Sequence, residues 1–222
     1  MCTRSEIEAR GVRLEPDGSP RYPGTCRGRF ASEDQAWAET GRAASIRFAI
    51  SPVEIAFRDE CLGRVSFAMG SDLGDFIVRK ADGEFGYHLA NVVDDAAAGV
   101  THVVRGEDLL ASAPRQILLY KALQLESRLP QYMHLPLVIG LDGRKLAKRH
   151  GDTRLSQLRD EGITAGQVRA LLARWSGLEP AGEECTIGQW VDQFDLERLP
   201  MSPVMYDDRQ DRPRPLTTRG GS

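Results

Sequence analysis

Between residues 85 and 140, short apolar runs alternate with stretches of helical periodicity, and this alternation constrains the fold more than any other feature. Phe85 to Tyr87 reads as a short strand, followed by a helix through Val92 and Val93. Thr101-His102-Val103-Val104-Arg105 reads as a buried strand. Ser112 is placed to cap a helix with Pro114 in its first turn, and Ile117, Leu118, Tyr120 and Leu123 recur at helical spacing. Met133 to Ile139 reads as a further strand, with Pro136 bending part of it. Strand, helix, strand, helix, strand predicts an α/β fold with a parallel sheet and right-handed crossovers.

The flanking segments differ in character. In residues 45–80, Val53-Glu54-Ile55-Ala56-Phe57 and Val65-Ser66-Phe67-Ala68-Met69 alternate apolar and polar around Gly63, which predicts a hairpin. Asp75 to Lys80 reads as another strand, closed by the Asp82-Gly83 turn. Residues 1–30 carry few apolar groups. Ser5 to Arg10 reads as a short helix capped by Ser5 with Glu8 three residues on, and Glu15 to Pro20 and Tyr22 to Cys26 read as turns. Such a segment needs a staple other than a core. Residues 151–199 read as helices whose apolar faces are Leu155, Leu158, Val168, Leu171, Leu172 and Trp175, with a last helix from Thr186 to Phe194. The tail, residues 207–222, is expected to be disordered.

The 222 residues carry a net charge of −3, which excludes a protein held on polyanions by bulk positive charge; local basic patches still suffice for phosphate contact. No apolar run approaches the roughly 18–20 residues of a membrane helix, so a soluble, cytoplasmic chain is expected. Four cysteines, Cys2, Cys26, Cys61 and Cys185, are too few and too scattered for a disulfide framework. Cys61 and Cys185 lie among apolar residues and read as packing groups.

Chemistry concentrates in Gly143-Arg144-Lys145-Leu146-Ala147-Lys148-Arg149-His150-Gly151. This glycine-flanked loop has four cations in six positions and directly follows a strand of the α/β region, where ligands tend to bind. Clustered lysines there suit the charge that develops on nucleotide phosphates. Charge alone favours the plainer reading, a solvated basic loop.

Lys145-Leu146-Ala147-Lys148-Arg149 resembles the KMSKS loop of class I aminoacyl-tRNA synthetases, in the KLSKR form common among glutamyl enzymes. Tyr87-His88-Leu89-Ala90-Asn91-Val92-Val93-Asp94-Asp95 resembles their Y-N-x-A-x-V-V-D-D segment, and Val104-Arg105-Gly106-Glu107-Asp108-Leu109 their V-I-R-G-E-D-H. Pro114-Arg115-Gln116-Ile117-Leu118-Leu119-Tyr120 and His134-Leu135-Pro136-Leu137 follow at the intervals of the same family. Motifs in this order across residues 75–151 are far more specific than any one of them. The resemblance implies the second half of a Rossmann-like nucleotide-binding domain with a zinc-module and β insertion and a C-terminal helical segment. It divides the chain into a zinc-binding module (1–30), a β-rich acceptor-end insertion (31–84), the catalytic α/β half with its KMSKS-like loop (85–150), a helical segment (151–206) and the tail (207–222).

It further implies a glutamate pocket. Tyr87 would hydrogen-bond the substrate amino acid and Arg105 would pair with its carboxylate, a contact that suits a planar guanidinium. Lys148 would contact ATP, accompanied by Mg2+, and Lys145 would support it. From the residues alone, Tyr87 reads as a core aromatic and Arg105 as a strand-end ion pair. Asp94 and Asp95 read as a structural pair at a helix end. Ala147 stands where the KLSK form has Ser, which removes one loop hydrogen bond and leaves the lysines.

Spacing alone makes Cys2 and Cys26 two free cysteines. Within the family, however, glutamyl-Q-tRNA(Asp) synthetases carry a C-x-C pair and then a Y-x-x-x-C that together bind zinc. Cys2-Thr3-Arg4 resembles the second half of that pair, and Tyr22-Pro23-Gly24-Thr25-Cys26 the Y-x-x-x-C. One Zn2+ held by Cys2, Tyr22 and Cys26 is therefore implied, with a fourth ligand position falling before Met1. Only about 70 residues follow the KMSKS-like loop, as in the glutamyl-Q enzymes, which attach glutamate to queuosine in the tRNA(Asp) anticodon. The family's HIGH-like ATP motif and first glutamate contacts precede the zinc module, and none is in this sequence. The expected partners are ATP, glutamate and queuosine-bearing tRNA(Asp), with no membrane and a monomeric state. A truncated glutamyl-tRNA synthetase and a non-catalytic fragment that binds tRNA or ATP are the alternatives.

Overall fold

The computed structural model describes residues 2–147, 150 and 154–215. The chain forms two compact units, residues 1–134 and 135–222.

In the first unit the hairpin forms as its alternation demands. β2 (Val53–Asp59) pairs antiparallel with β3 (Gly63–Met69), opposing Ile55 to Phe67 and Phe57 to Val65. The buried face of β2 is Ile55, half-buried Phe57 and Asp59, so the alternation runs one step further than its apolar residues suggest. Asp59 closes the turn by accepting hydrogen bonds from the amides of Cys61 and Leu62, and Gly63 takes the left-handed conformation that this three-residue connection needs.

This hairpin is not a separate layer. β2 also pairs in parallel with β6 (Gln131–Leu135), Asp59 opposite Tyr132, and β5 (His102–Gly106) completes a four-stranded mixed sheet in the order β3-β2-β6-β5. The purely parallel sheet expected from the strand–helix alternation is thus corrected: an antiparallel hairpin is spliced onto its parallel part. β5 was expected to be buried. It lies at the sheet edge, and Val104 is 57% exposed. β1 (Ile46–Phe48) and β4 (Phe76–Arg79) form a separate antiparallel pair.

α3 (Tyr87–Ala98) begins where a short strand was expected at residues 85–87. Gly86 makes this possible, because a Cβ there would collide with the backbone of Ile77, and its amide donates to the Val78 carbonyl. α4 (Ser112–Ala122) packs against α3, and Gln116 hydrogen-bonds Asn91 between them. Ser112 does not cap α4; the helix starts from Ala111 without a side-chain cap. The core lies between these helices and the strands, with Ile55, Phe67, Met69, Val92, Ile117 and Tyr120 at its centre.

The N-terminal helix α1 (Arg4–Glu8) is capped by Thr3, with Glu6 returning to the Thr3 amide, one capping box earlier than Ser5 and Glu8 suggested. α2 (Glu33–Thr40) follows. Sparse apolar residues are offset by a buried ion cluster: Arg115 of α4 bonds Glu15 and Asp17, while Glu15 also accepts from the Gly74 amide at 2.6 Å.

In the second unit the expected strand across Met133 to Ile139 is split at Pro136, since proline cannot donate to a ladder. Its far part, β7 (Val138–Gly140), pairs in parallel with β8 (Val204–Tyr206), a strand the sequence patterns do not signal. α5 (Leu155–Asp160), α6 (Ala165–Trp175) and α7 (Ile187–Gln193) are the expected helices. The buried face of α6 is Gly166, Gln167, Ala170, Leu171 and Ala173, whereas Leu172 and Leu155 are exposed. Small residues let Cys185 and Leu178 pack close to that helix. The first part of the expected disordered tail is tied down. Arg212 bridges Glu161 and Asp208, and the Gln167 side chain donates to the Arg214 carbonyl. Residues 216–222 lie outside the described residues. Among the described residues, no helix is long and apolar enough to cross a membrane.

Candidate active site

Arg105 is the next-to-last residue of β5, and its side chain is organised from below. The Arg105 Nε donates to Nε2 of His134 at 3.0 Å. Nε2 must therefore be an acceptor, which puts the imidazole proton on Nδ1, 2.6 Å from Oδ2 of Asp59. His134 and the Asp59 side chain are fully buried. Burial pushes His134 below the ordinary imidazole value, against the pull of Asp59. Asp59 lies below the usual carboxylate range even though burial opposes its charge, because His134 and three backbone amides donate to it.

The Arg105 guanidinium lies 5.3 Å over the Tyr132 ring, which itself stacks on His134. Burial lowers its affinity for a proton, and Tyr132, Tyr87 and Asp95 work against that effect. Its Nη2 is buried and has no protein partner. A buried cationic N–H without an acceptor is costly, so this atom asks for an anion. Tyr87, at the start of α3, interacts with the same guanidinium and is 53% exposed. Tyr87 is thus not the core aromatic that its residue type alone suggests, and Arg105 is not in a surface ion pair. The structure brings Tyr87 and Arg105 together, and adds Asp59, His134 and Tyr132. The alternation of β2, extended two residues to Asp59, was the available sequence signal for the carboxylate.

His88 faces the cleft of about 470 Å³ shared by Tyr87, Arg115, Asp17 and Lys80. It packs edge-on against Phe76 and Tyr87, and its Nδ1 is buried without a partner. Burial, with Arg115 and Arg105 nearby, depresses it to about 4. Asp94 and Asp95 lie in the second half of α3, and among the described residues no group of three or more His, Cys, Asp or Glu side chains is placed to hold a metal.

Cys2, Tyr22 and Cys26 also converge. The two sulfurs are 3.7 Å apart, and the Tyr22 hydroxyl accepts the Cys26 amide at 2.7 Å. Two thiolates about 2.3 Å from a tetrahedral zinc stand roughly 3.8 Å apart, so this spacing and donor set fit that ion. Burial opposes ionisation of Cys26, but the hydrogen bonds from Cys2 and Tyr22 outweigh it and bring the thiol below its usual value. Burial pushes Cys2 and Tyr22 the other way. The Arg47 guanidinium covers the Tyr22 ring at 4.1 Å. Cys185 is buried as expected, whereas Cys61 is half-exposed beside the β2–β3 turn.

In the second unit, the strand β7 runs into the basic loop. The Leu146 amide returns to Val138, and Gly140 and Arg144 close the turn. His150 braces it: Nδ1 accepts the Ala147 amide at 3.1 Å, and Nε2 donates to Asp142 at 2.7 Å. Gly140 leaves room for this ring, which a Cβ there would strike. Lys145 is exposed on the loop. Lys148 lies outside the described residues.

The family model for class I tRNA synthetases (E and Q), catalytic domain, matches residues 1–210. The chain belongs to this family. It is 45% identical over 207 residues to the glutamyl-Q tRNA(Asp) synthetase of Symbiobacterium thermophilum, covering 91% of this chain and 62% of that protein. It is 39% identical to glutamate–tRNA ligase 1 of Methylococcus capsulatus, covering all of this chain and 48% of the relative. The fold is similar to the crystal structure of a glutamate-tRNA synthetase from Elizabethkingia anophelis, with a TM-score of 0.70 at 27% identity, over 94% of this chain and 46% of that one. This class I synthetase domain therefore spans about half to three-fifths of the length of these relatives. The α/β class expected from the sequence holds, with the mixed sheet described above.

Proposed function

We propose that this domain is the second half of a site that activates glutamate with ATP, as Mg2+-ATP, and serves transfer of the glutamyl group to queuosine in the anticodon of tRNA(Asp). The observation that carries the glutamate part is Arg105: a braced, desolvated guanidinium with an unpartnered Nη2 beside the Tyr87 phenol. Such a group binds a carboxylate by charge-assisted hydrogen bonds, and Tyr87 supplies a further polar contact to the amino acid. Lys145 and Lys148, on the KMSKS-like loop, would neutralise charge developing on the ATP phosphates. Membership of the glutamyl and glutaminyl family supports glutamate as the substrate class, and the Symbiobacterium relative supports tRNA(Asp) as acceptor. The ordinary glutamate–tRNA ligases among the relatives support a second reading, transfer to tRNA(Glu).

Glutamate-dependent pyrophosphate exchange, run with and without tRNA, separates these readings. In a protein that spans the full length of these relatives, exchange without tRNA, with glutamate then transferred to queuosine-bearing tRNA(Asp), is expected, whereas residues 1–222 alone should exchange only weakly. Exchange that requires tRNA(Glu) would establish the second reading. Replacing Arg105 by Ala should harm glutamate use by roughly ten- to a hundredfold and leave ATP affinity nearly unchanged, because the lost contact is a charged one to the amino acid.

Zinc in this reading is structural: Cys2 and Cys26 as thiolates, with the Tyr22 oxygen, would hold the ion and staple the apolar-poor N-terminal segment. Cobalt substitution tests this by a thiolate-to-metal absorption band that Cys26→Ser roughly halves. Three protein ligands predict weak retention under mild chelation, so stoichiometric zinc surviving it would reject the three-ligand site.

A further inference from the structure

We infer that Asp59 and His134 are positioning residues for Arg105, fixing through one imidazole tautomer which guanidinium nitrogens are offered to the substrate carboxylate. The inference rests on the glutamate reading of the site and extends it to two residues that no substrate contact requires.

The geometry admits one proton arrangement. Asp59 Oδ1 is saturated by the amides of Cys61, Leu62 and His134, which leaves Oδ2 facing His134 Nδ1. A carboxylate only accepts, so Nδ1 carries the proton and Nε2 carries the lone pair. Arg105 only donates, and its Nε meets that lone pair at 3.0 Å. Each link therefore selects the next. With Nε committed and the guanidinium resting over Tyr132, the outer nitrogens are the ones left for a ligand, and Nη2 is buried without a protein partner. Without the relay, Arg105 keeps its charge but gains rotamers and can present Nε sideways, so a carboxylate meets an unordered donor set.

Asp59→Asn tests this with little change of shape. The amide oxygen can keep the three backbone bonds, while its NH2 replaces Oδ2 opposite His134. A donor there drives the imidazole to the Nε2–H tautomer, and Nε2–H then faces Arg105 Nε–H, donor against donor. The measurements are 15N chemical shifts of His134 and Arg105 Nε, together with calorimetric titration of glutamate, on the full-length wild-type protein and the variant. We expect Nδ1–H in the wild type, Nε2–H in Asp59→Asn, faster exchange of the Arg105 Nε–H, and glutamate affinity lower by roughly ten- to a hundredfold. His134→Gln, whose side-chain oxygen can still accept from Nε, should lose less affinity than His134→Leu.

Nε2–H in the wild type overturns the inference outright, whether or not the variants fold. So does a flipped tautomer with unchanged Arg105 exchange. A wild-type chain with the Nδ1–H tautomer and a slowly exchanging Arg105 Nε–H, both lost in Asp59→Asn, but with no affinity for glutamate, supports the positioning pair and rejects glutamate as the ligand.

Discussion

Arg115 shows at single-residue scale how charge substitutes for apolar packing. Its side chain is 4% exposed and holds Glu15, 7% exposed, across a hundred residues of sequence. Removing the guanidinium strands a buried carboxylate, so Arg115→Ala should lower unfolding stability by about 3–5 kcal/mol in urea titrations. A loss below 1 kcal/mol would mean that water reaches Glu15. His88 makes a second test. Its unfolded imidazole titrates near 6.5 and its folded one at about 4, so between those values the unfolded chain binds more protons. Stability contributed by neutral His88 is present above pH 6.5 and drains away as pH falls toward 4, by roughly 3 kcal/mol. The difference between wild type and His88→Gln isolates this from carboxylates such as Asp17, and parallel stability curves for the two would refute it. Arg105 and Tyr87 could be singled out only through the motifs around them, because residue type alone assigns both to other duties.

At the scale of elements, the basic loop is a turn with a brace. β7 supplies one side, Leu146 returns to it, and His150 bonds both Ala147 and Asp142. The alanine that replaces the family's serine retains its backbone amide, and His150 accepts it. His150→Ala should therefore speed amide exchange at Ala147 and Leu146 by about fivefold, a neutral hydrogen bond contributing around 1 kcal/mol. Unchanged exchange there would show that the brace is not used in solution. The hairpin teaches a related point. Its two strands follow from alternation, whereas its place in the sheet follows from Asp59 opposing Tyr132, a long-range pairing with no local signature.

At the scale of the whole molecule, the two units have unequal cores. The first is built on large side chains such as Phe67, Phe76 and Tyr120, the second on Leu178 and Cys185 against the alanines of α6. Burial scales with apolar area, so the second unit should unfold first. Trp175 and Trp190 lie in that unit and Trp37 is exposed in the first. Tryptophan fluorescence should therefore change at lower urea than amide protection of β2 and β3, and coincident midpoints would show one cooperative molecule. Periodicity by itself determined the helices α3, α4 and α6 and the β2–β3 hairpin, since those depend on neighbours within a few residues. Ordered motifs by themselves determined the family and the pair Tyr87 and Arg105. Only the tertiary structure decided that Glu15 would neutralise Arg115, that β8 would join β7, and that Asp59 and His134 would stand beneath Arg105. Each of these joins residues tens of positions apart, where burial forces a charge or a backbone edge to find a partner and the local chain carries no record of which one it will be.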